Sequence, residues 1–213
     1  MIAFLLVITA IIAYTMGSLN TTIIASHFVF HCDLFQFERN NVGITRFLNR
    51  FGKKGAIILV GIEALKTAIP VIIGGLLLGI VKHGEVGKAF ALFCVMLGTE
   101  FPIMFKFKGE QTLVAFATGM LFLNFGIGVI TLGIMAGIYF LSRYVSLTAI
   151  GGALFAYLFS IISIDAKWVH KLILCCAVLV IIEYRKSIVN LIKGKEPKFI
   201  YKKDVSYMFD DDF

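Results

Sequence analysis

Three kinds of residue in this chain could do chemistry on an anion: guanidinium and ammonium groups, a carboxylate paired with a lysine, and short glycine- and asparagine-containing turns. Arg39, Arg46, Arg50, Lys53 and Lys54 crowd a polar island from Phe35 to Lys54, against the single carboxylate of Glu38. At the centre of the island Asn40-Asn41-Val42-Gly43 is backbone suited to turning. Glu63 and Lys66 are three apart inside a long apolar run, on one helical face, with Pro70 one turn later. Further polar stretches follow at Gly98 to Pro102, Phe105 to Gly109, Arg143 to Leu147 and Arg185 to Lys193. Cationic side chains beside exposed backbone amides bind phosphate oxygens, so the convergence of these stretches implies a phosphorylated ligand.

The elements that must position these residues are membrane helices. Of 213 residues, 59% are hydrophobic and 15% charged, too apolar for a soluble domain of this length. The runs Gly55 to Val81 and Leu113 to Leu141 exceed the roughly 20 apolar residues that cross a hydrocarbon core. Backbone groups in that core must be paired within the segment, and the alternating pattern of a barrel is lacking, so an all-α polytopic bundle is expected. The formal charge of +7 sits in short loops and the tail. It sets topology and meets anionic headgroups, so no nucleic-acid partner is expected. The cysteines Cys32, Cys94, Cys175 and Cys176 have no framework or zinc spacing; packing residues are expected, with no metal and no cofactor.

In chain order, the first expected crossing is Met1 to about Leu19, read as a retained helix and not a cleaved signal. The segment Thr21 to Cys32 prolongs it or lies in the interface. Five basic residues near span ends place the island in the cytoplasm and the N-terminus outside. The next crossings are Gly55 to Val81 and Ala89 to Phe105, joined by a turn holding Lys82, His83, Glu85 and Lys88. The second of these is interrupted at Gly98 to Pro102. As one helix, Leu113 to Leu141 would be roughly 43 Å long. Two short crossings turning near Asn124 to Gly128 instead return the basic tail to the cytoplasm. Val145 to Ile164 and Val169 to Ile182 complete seven crossings, with Trp168 as an interface anchor. Residues 1–183 thus form a transmembrane domain and 184–213 a cytoplasmic tail, basic and aromatic with an acidic end.

Soluble-enzyme motifs are missing: there is no Walker loop, dinucleotide fingerprint or nucleophile elbow. The order of the polar stretches nevertheless resembles the bacterial membrane glycerol-3-phosphate acyltransferases of the PlsY type. The matching pieces are Gly17-Ser18, Asp33-Leu34, Asn41-Val42-Gly43 with Thr45, Gly52-Lys53-Lys54, Leu65-Lys66 followed by Ile69-Pro70, Gly98 with Phe101-Pro102, Phe107-Lys108-Gly109, Arg143 to Leu147, and Arg185. The resemblance implies an acyltransferase of the bacterial plasma membrane, acting in phospholipid or related membrane-lipid synthesis. Its donor would be acyl-phosphate, and its acceptor glycerol 3-phosphate or a related phosphorylated molecule. It assigns phosphate binding to Asn41, Gly43, Arg46, Lys66, Lys108, Gly109, Arg143 and Arg185. Orientation of the acceptor hydroxyl falls to Glu63, Thr45 or Ser146.

The chain departs from the family's pattern in one direction. The family's Gly-Ser-Gly-Asn-x-Gly-Ala-Thr-Asn is here Glu38 to Arg46, with Arg39 in place of the serine. Its Phe-Lys-Gly-Gly-Lys-Gly continues as Phe107-Lys108-Gly109-Glu110-Gln111-Thr112, losing one lysine and two glycines. Thr99 replaces a histidine, and in the last motif the histidine and asparagine align with Tyr184 and Ser187. Glu38 and Glu110 would repel a phosphate, with Arg39 and Arg46 partly restoring the positive field. The residues therefore leave a second reading open, a catalytically silent relative that binds lipid or scaffolds another membrane protein.

Overall fold

The computed structural model describes residues 1–22, 44–103 and 109–193, with the side chains of 44–53 and of Ile192 outside that description. Among the described residues there are eight α-helices and no strand. They are α1 (Ile2–Gly17), α2 (Ile44–Gly79), α3 (Gly84–Glu100), α4 (Leu113–Leu123), α5 (Phe125–Ser142), α6 (Val145–Ser163), α7 (Lys167–Glu183) and α8 (Arg185–Ile192). Lys54–Gly79, Phe125–Ser142 and Val145–Ser163 are long and apolar enough to cross a membrane, and Ile2–Gly17 and Leu113–Leu123 are shorter apolar helices. Large apolar side chains such as Leu141, Ile162, Phe140 and Phe125 point outward, as in a bundle whose solvent is lipid.

Helix ends follow local chemistry. Pro102 stands just beyond α3, and the residue before a proline is pushed out of helical geometry, so Phe101 caps the helix at φ −123°. Asn124 adopts extended backbone between α4 and α5, and its side chain accepts a hydrogen bond from the Ile127 amide at 3.2 Å, capping α5. The break lies within the expected Asn124 to Gly128 turn. The two halves are unequal, 11 residues in α4 and 18 in α5, so only α4 is short for a bilayer.

The larger difference is at α2. The span expected from Gly55 matches the apolar stretch Lys54–Gly79, but the helix itself extends back to Ile44, through the second half of the basic island. At 36 residues it is about 54 Å long. A helix continues past the hydrocarbon boundary wherever its sequence permits, because its backbone is paired internally on either side of that boundary. Pro70 lies inside this helix.

Small residues set the spacing of the first three helices. Gly74 and Gly87 bring α2 against α3 so closely that a Cβ on Gly87 would collide with the Gly74 carbonyl. Beside them Ala13, Ala91, Cys94 and Val95 form a small core between α1 and α3. A larger core, including Leu92, Met96, Phe116, Met120, Ile173 and Val180, joins α3, α4 and α7 and extends to α6. Cys94 and Cys176 are buried free thiols and Cys175 is exposed. Trp168 is 66% exposed at the start of α7, with the Lys171 ammonium 4.5 Å from its ring centroid.

Candidate functional site

The C-terminal ends of α1, α3 and α7 and the start of α4 meet at one end of the bundle, level with the middle of α2. Gly17 and Gly98 make this meeting close. A Cβ on Gly17 would strike the Val95 carbonyl, and one on Gly98 would strike that of Tyr14. Thr99 Oγ1 donates to the Gly17 carbonyl at 3.2 Å, and the Tyr14 hydroxyl donates to the Phe101 carbonyl at 2.7 Å. The end of α1 is thereby fixed to the end of α3, and the segment after it is aimed at α2.

Glu63 and Lys66 receive that segment. Glu63 is 4% exposed and Lys66 is 6% exposed. Their charged groups are 3.0 Å apart. Lys66 Nζ also donates to the Leu19 carbonyl at 3.0 Å, and the Thr21 hydroxyl donates to Glu63 Oε2. The two ionisable residues singled out by their cost in an apolar run are thus brought together and buried, tying α2 to the chain beyond α1.

Glu110 completes the cluster from the segment before α4. Its Oε2 accepts the Thr21 amide at 2.8 Å and its Oε1 the Thr22 amide at 2.6 Å, while Lys66 Nζ lies 3.6 Å away. Sequence reasoning set Glu110 facing a phosphate as a repelling anion; the structure turns it inward, where two amides and an ammonium already offset its charge. Gly109 packs on the end of α3 so tightly that a Cβ would collide with the Glu100 carbonyl, and the Glu110 amide donates to Thr99 O at 3.1 Å. Thr112 is fully buried. Its amide donates to both Glu183 oxygens at 3.2 Å, and its hydroxyl donates to Oε2. Glu110 and Thr112, which replace two glycines of the motif, have each acquired a partner on another element.

The remaining expected residues fall in three groups. Arg143 is exposed in the left-handed turn before α6, at φ 59°, and Ser146 is buried in the first turn of α6. Arg185 is exposed at the start of α8, close enough to Glu100 to act on its charge. Thr45 and Arg46 lie in the first turn of α2 with their side chains outside the described residues, where Asn41, Gly43 and Lys108 also fall. Thr21, Glu110 and Glu183 were missed as structural partners. The signal available for them was a carboxylate beside each span end and the Asn20-Thr21-Thr22 run, whose hydroxyls and amides need partners near a membrane. Among the described residues no group of three or more His, Cys, Asp or Glu could hold a metal ion.

Fold and site together define a membrane-embedded helical bundle with a buried, lysine-centred polar cluster at one end. The family model for glycerol-3-phosphate acyltransferases matches residues 7–194. A glycerol-3-phosphate acyltransferase of Ralstonia pickettii (strain 12J) is 31% identical over 197 residues, 92% of this chain and 95% of that protein. One from Thermoanaerobacter sp. (strain X514) is 29% identical over 199 residues, 93% of this chain and 98% of that protein. Two crystal structures of PlsY (YgiH), an integral membrane glycerol 3-phosphate acyltransferase, share the fold. The glycerol 3-phosphate form has a TM-score of 0.77 at 23% identity, covering 96% of this chain and 98% of the other. The lysophosphatidic acid form has a TM-score of 0.78 at 24% identity, covering 92% and 96%. The chain belongs to the glycerol-3-phosphate acyltransferase family, and it is an integral, multi-pass membrane protein.

Proposed function

We propose that the chain is an acyltransferase of the bacterial plasma membrane that moves an acyl group from acyl-phosphate to glycerol 3-phosphate. It would cross the membrane seven times, with the N-terminus outside and the tail from residue 184 in the cytoplasm. The acceptor hydroxyl oxygen attacks the acyl carbonyl, forming an ester bond. The carbonyl's bond to the phosphate oxygen breaks, and phosphate leaves with that electron pair while the hydroxyl proton passes to phosphate or water. No cofactor enters the balance. Lys66, Lys108, Arg46, Arg143 and Arg185, with Asn41 and the backbone at Gly43 and Gly109, hold the phosphates. Glu63 and Thr45 orient the acceptor, and Ser146 stands in the turn of helix that follows Arg143.

The observation that carries this reading is the convergence of 17–22, 98–102 and 109–112 on Glu63 and Lys66 at one end of the bundle. Charge stabilisation in a water-poor site is worth more than in solvent, and a buried lysine beside a mobile phosphate would supply it. The relatives' names favour an active enzyme over a silent or scaffolding relative, and the offset charge of Glu110 removes one physical objection to activity. The deciding assay is acyl transfer by the purified protein with acyl-phosphate and glycerol 3-phosphate. Turnover absent from Lys66→Ala and Lys108→Ala variants is expected; turnover no greater than in those variants would sink the proposal.

A further inference from the structure

Glu110 has two carboxylate oxygens, and each is claimed by a different main-chain donor. Thr22 N is 2.6 Å from Oε1 and Thr21 N is 2.8 Å from Oε2. Lys66 Nζ stands 3.6 Å from Oε2, and the Glu110 side chain is 8% exposed. Two adjacent amides and an ammonium around one anion form a donor set suited to a phosphoryl group. In this chain the set is filled from within.

Two further features favour exchange of this filling. The main chain at Glu110 is fastened by its own bond to Thr99 O and by the packing of Gly109 on Glu100, so the carboxylate can leave by side-chain rotation with the loop in place. Beside it, buried Glu63 has an Oε1 atom without a hydrogen-bond partner among the described residues. Glu63 and Glu110 share the one Lys66 ammonium, and Glu63 is the nearer at 3.0 Å against 3.6 Å, so Glu110 holds it less closely than an exclusive partner would.

We propose that Glu110 is an internal stand-in for a phosphate monoester, occupying the Thr21, Thr22 and Lys66 donors until a phosphorylated ligand displaces it. The inference rests on the acyltransferase reading and makes Glu110 a positioning residue that sets the affinity of the phosphate site. A ligand that must displace a bound group binds more weakly, in proportion to the fraction of time the donors are open. Removing the carboxylate leaves the donors bare and ready.

The test measures inorganic phosphate binding, by calorimetry and by thermal-stability titration, on the full chain in phosphatidylcholine nanodiscs. Glu110→Ala is expected to bind phosphate about tenfold more tightly than the wild type. Glu110→Gln, which keeps one acceptor and loses the charge, should fall between them, and Lys66→Met in the Glu110→Ala background should abolish the gain. Phosphate should also restore the stability lost with the carboxylate. Unchanged or weaker phosphate binding in both single variants would overturn the proposal. So would variants that unfold and are not rescued by phosphate, because either result makes Glu110 a fastening only. Phosphatidic acid doped into the discs then separates the sources: competition with phosphate assigns the site to a lipid headgroup, and its absence assigns it to a soluble phosphate, both upholding the stand-in. Binding is read without turnover, so an inactive wild type whose Glu110→Ala variant gains phosphate would defeat the acyltransferase reading alone.

Discussion

Thr21 gives its hydroxyl hydrogen to the Glu63 carboxylate, joining residues 42 positions apart in the chain. With Lys66 donating to the Leu19 carbonyl in the same place, polar groups hold the exit of α1 on the middle of α2. Replacing Lys66 by methionine leaves the Glu63 and Glu110 carboxylates buried without their ammonium. A loss of about 3–5 kcal/mol is expected, read as a lower unfolding midpoint in detergent. Lys66→Met with Glu63→Leu should regain part of that stability. If the ammonium also binds phosphate, turnover stays absent in the double variant, which separates packing from chemistry.

Gly98 and Gly61 make a matched pair. A methyl group on Gly98 meets the Tyr14 carbonyl, whereas nothing among the described residues lies within 4 Å of one on Gly61. Gly98→Ala should force α1 off α3, lowering stability by about 1–3 kcal/mol and acyl transfer with it. Gly61→Ala should be neutral or slightly stabilising, since alanine favours helix over glycine. Equal effects at both positions would deny that α1 docks through Gly98.

Thr112→Val keeps the shape of the side chain and removes the hydroxyl that Glu183 accepts. The backbone bonds to Glu183 remain, so a loss of about 1–3 kcal/mol is expected for one hydrogen bond to a charged group. Thermal unfolding in detergent checks the loss. Adding Glu183→Gln to this variant should cost less than the same change in the wild type, because the two residues act as a pair.

Topology is open to labelling. In a cysteine-free background, a cysteine at Lys82 should react with a membrane-impermeant thiol reagent on intact cells, and one at Lys193 only after the membrane is opened. Reversed labelling would invert the proposed orientation. Asn124→Ala, which removes the cap on α5, should lower stability by about 1 kcal/mol without changing either result.

Element boundaries were legible where polar residues punctuate the apolar runs. Val145 to Ile164 was expected, and the helix is Val145–Ser163, because Arg143-Tyr144 and Asp165 mark both ends. The start of α2 was not legible, since hydropathy reports where lipid ends and not where the backbone stops coiling. The division of residues 113–141 was placed within Asn124 to Gly128, but uniform apolarity gave no measure of the two halves. At the site, Glu63 and Lys66 stood out because charge inside an apolar helix needs a partner. Glu110 and Glu183 did not, because their partners lie 89 and 71 positions away at Thr21 and Thr112, and only the packed bundle brings them within reach.

Pro70 has no N–H, and four residues before it stands Lys66, whose carbonyl would have been the acceptor of that hydrogen. The residue that carries the buried ammonium therefore also carries a main-chain oxygen that the Pro70 position cannot bond. Pro70 is thus the point in the 36-residue helix where a main-chain bond is lost, and Glu63 and Lys66 sit within the two turns before it. A bend at this point would act first on the turns that carry the buried Glu63–Lys66 pair.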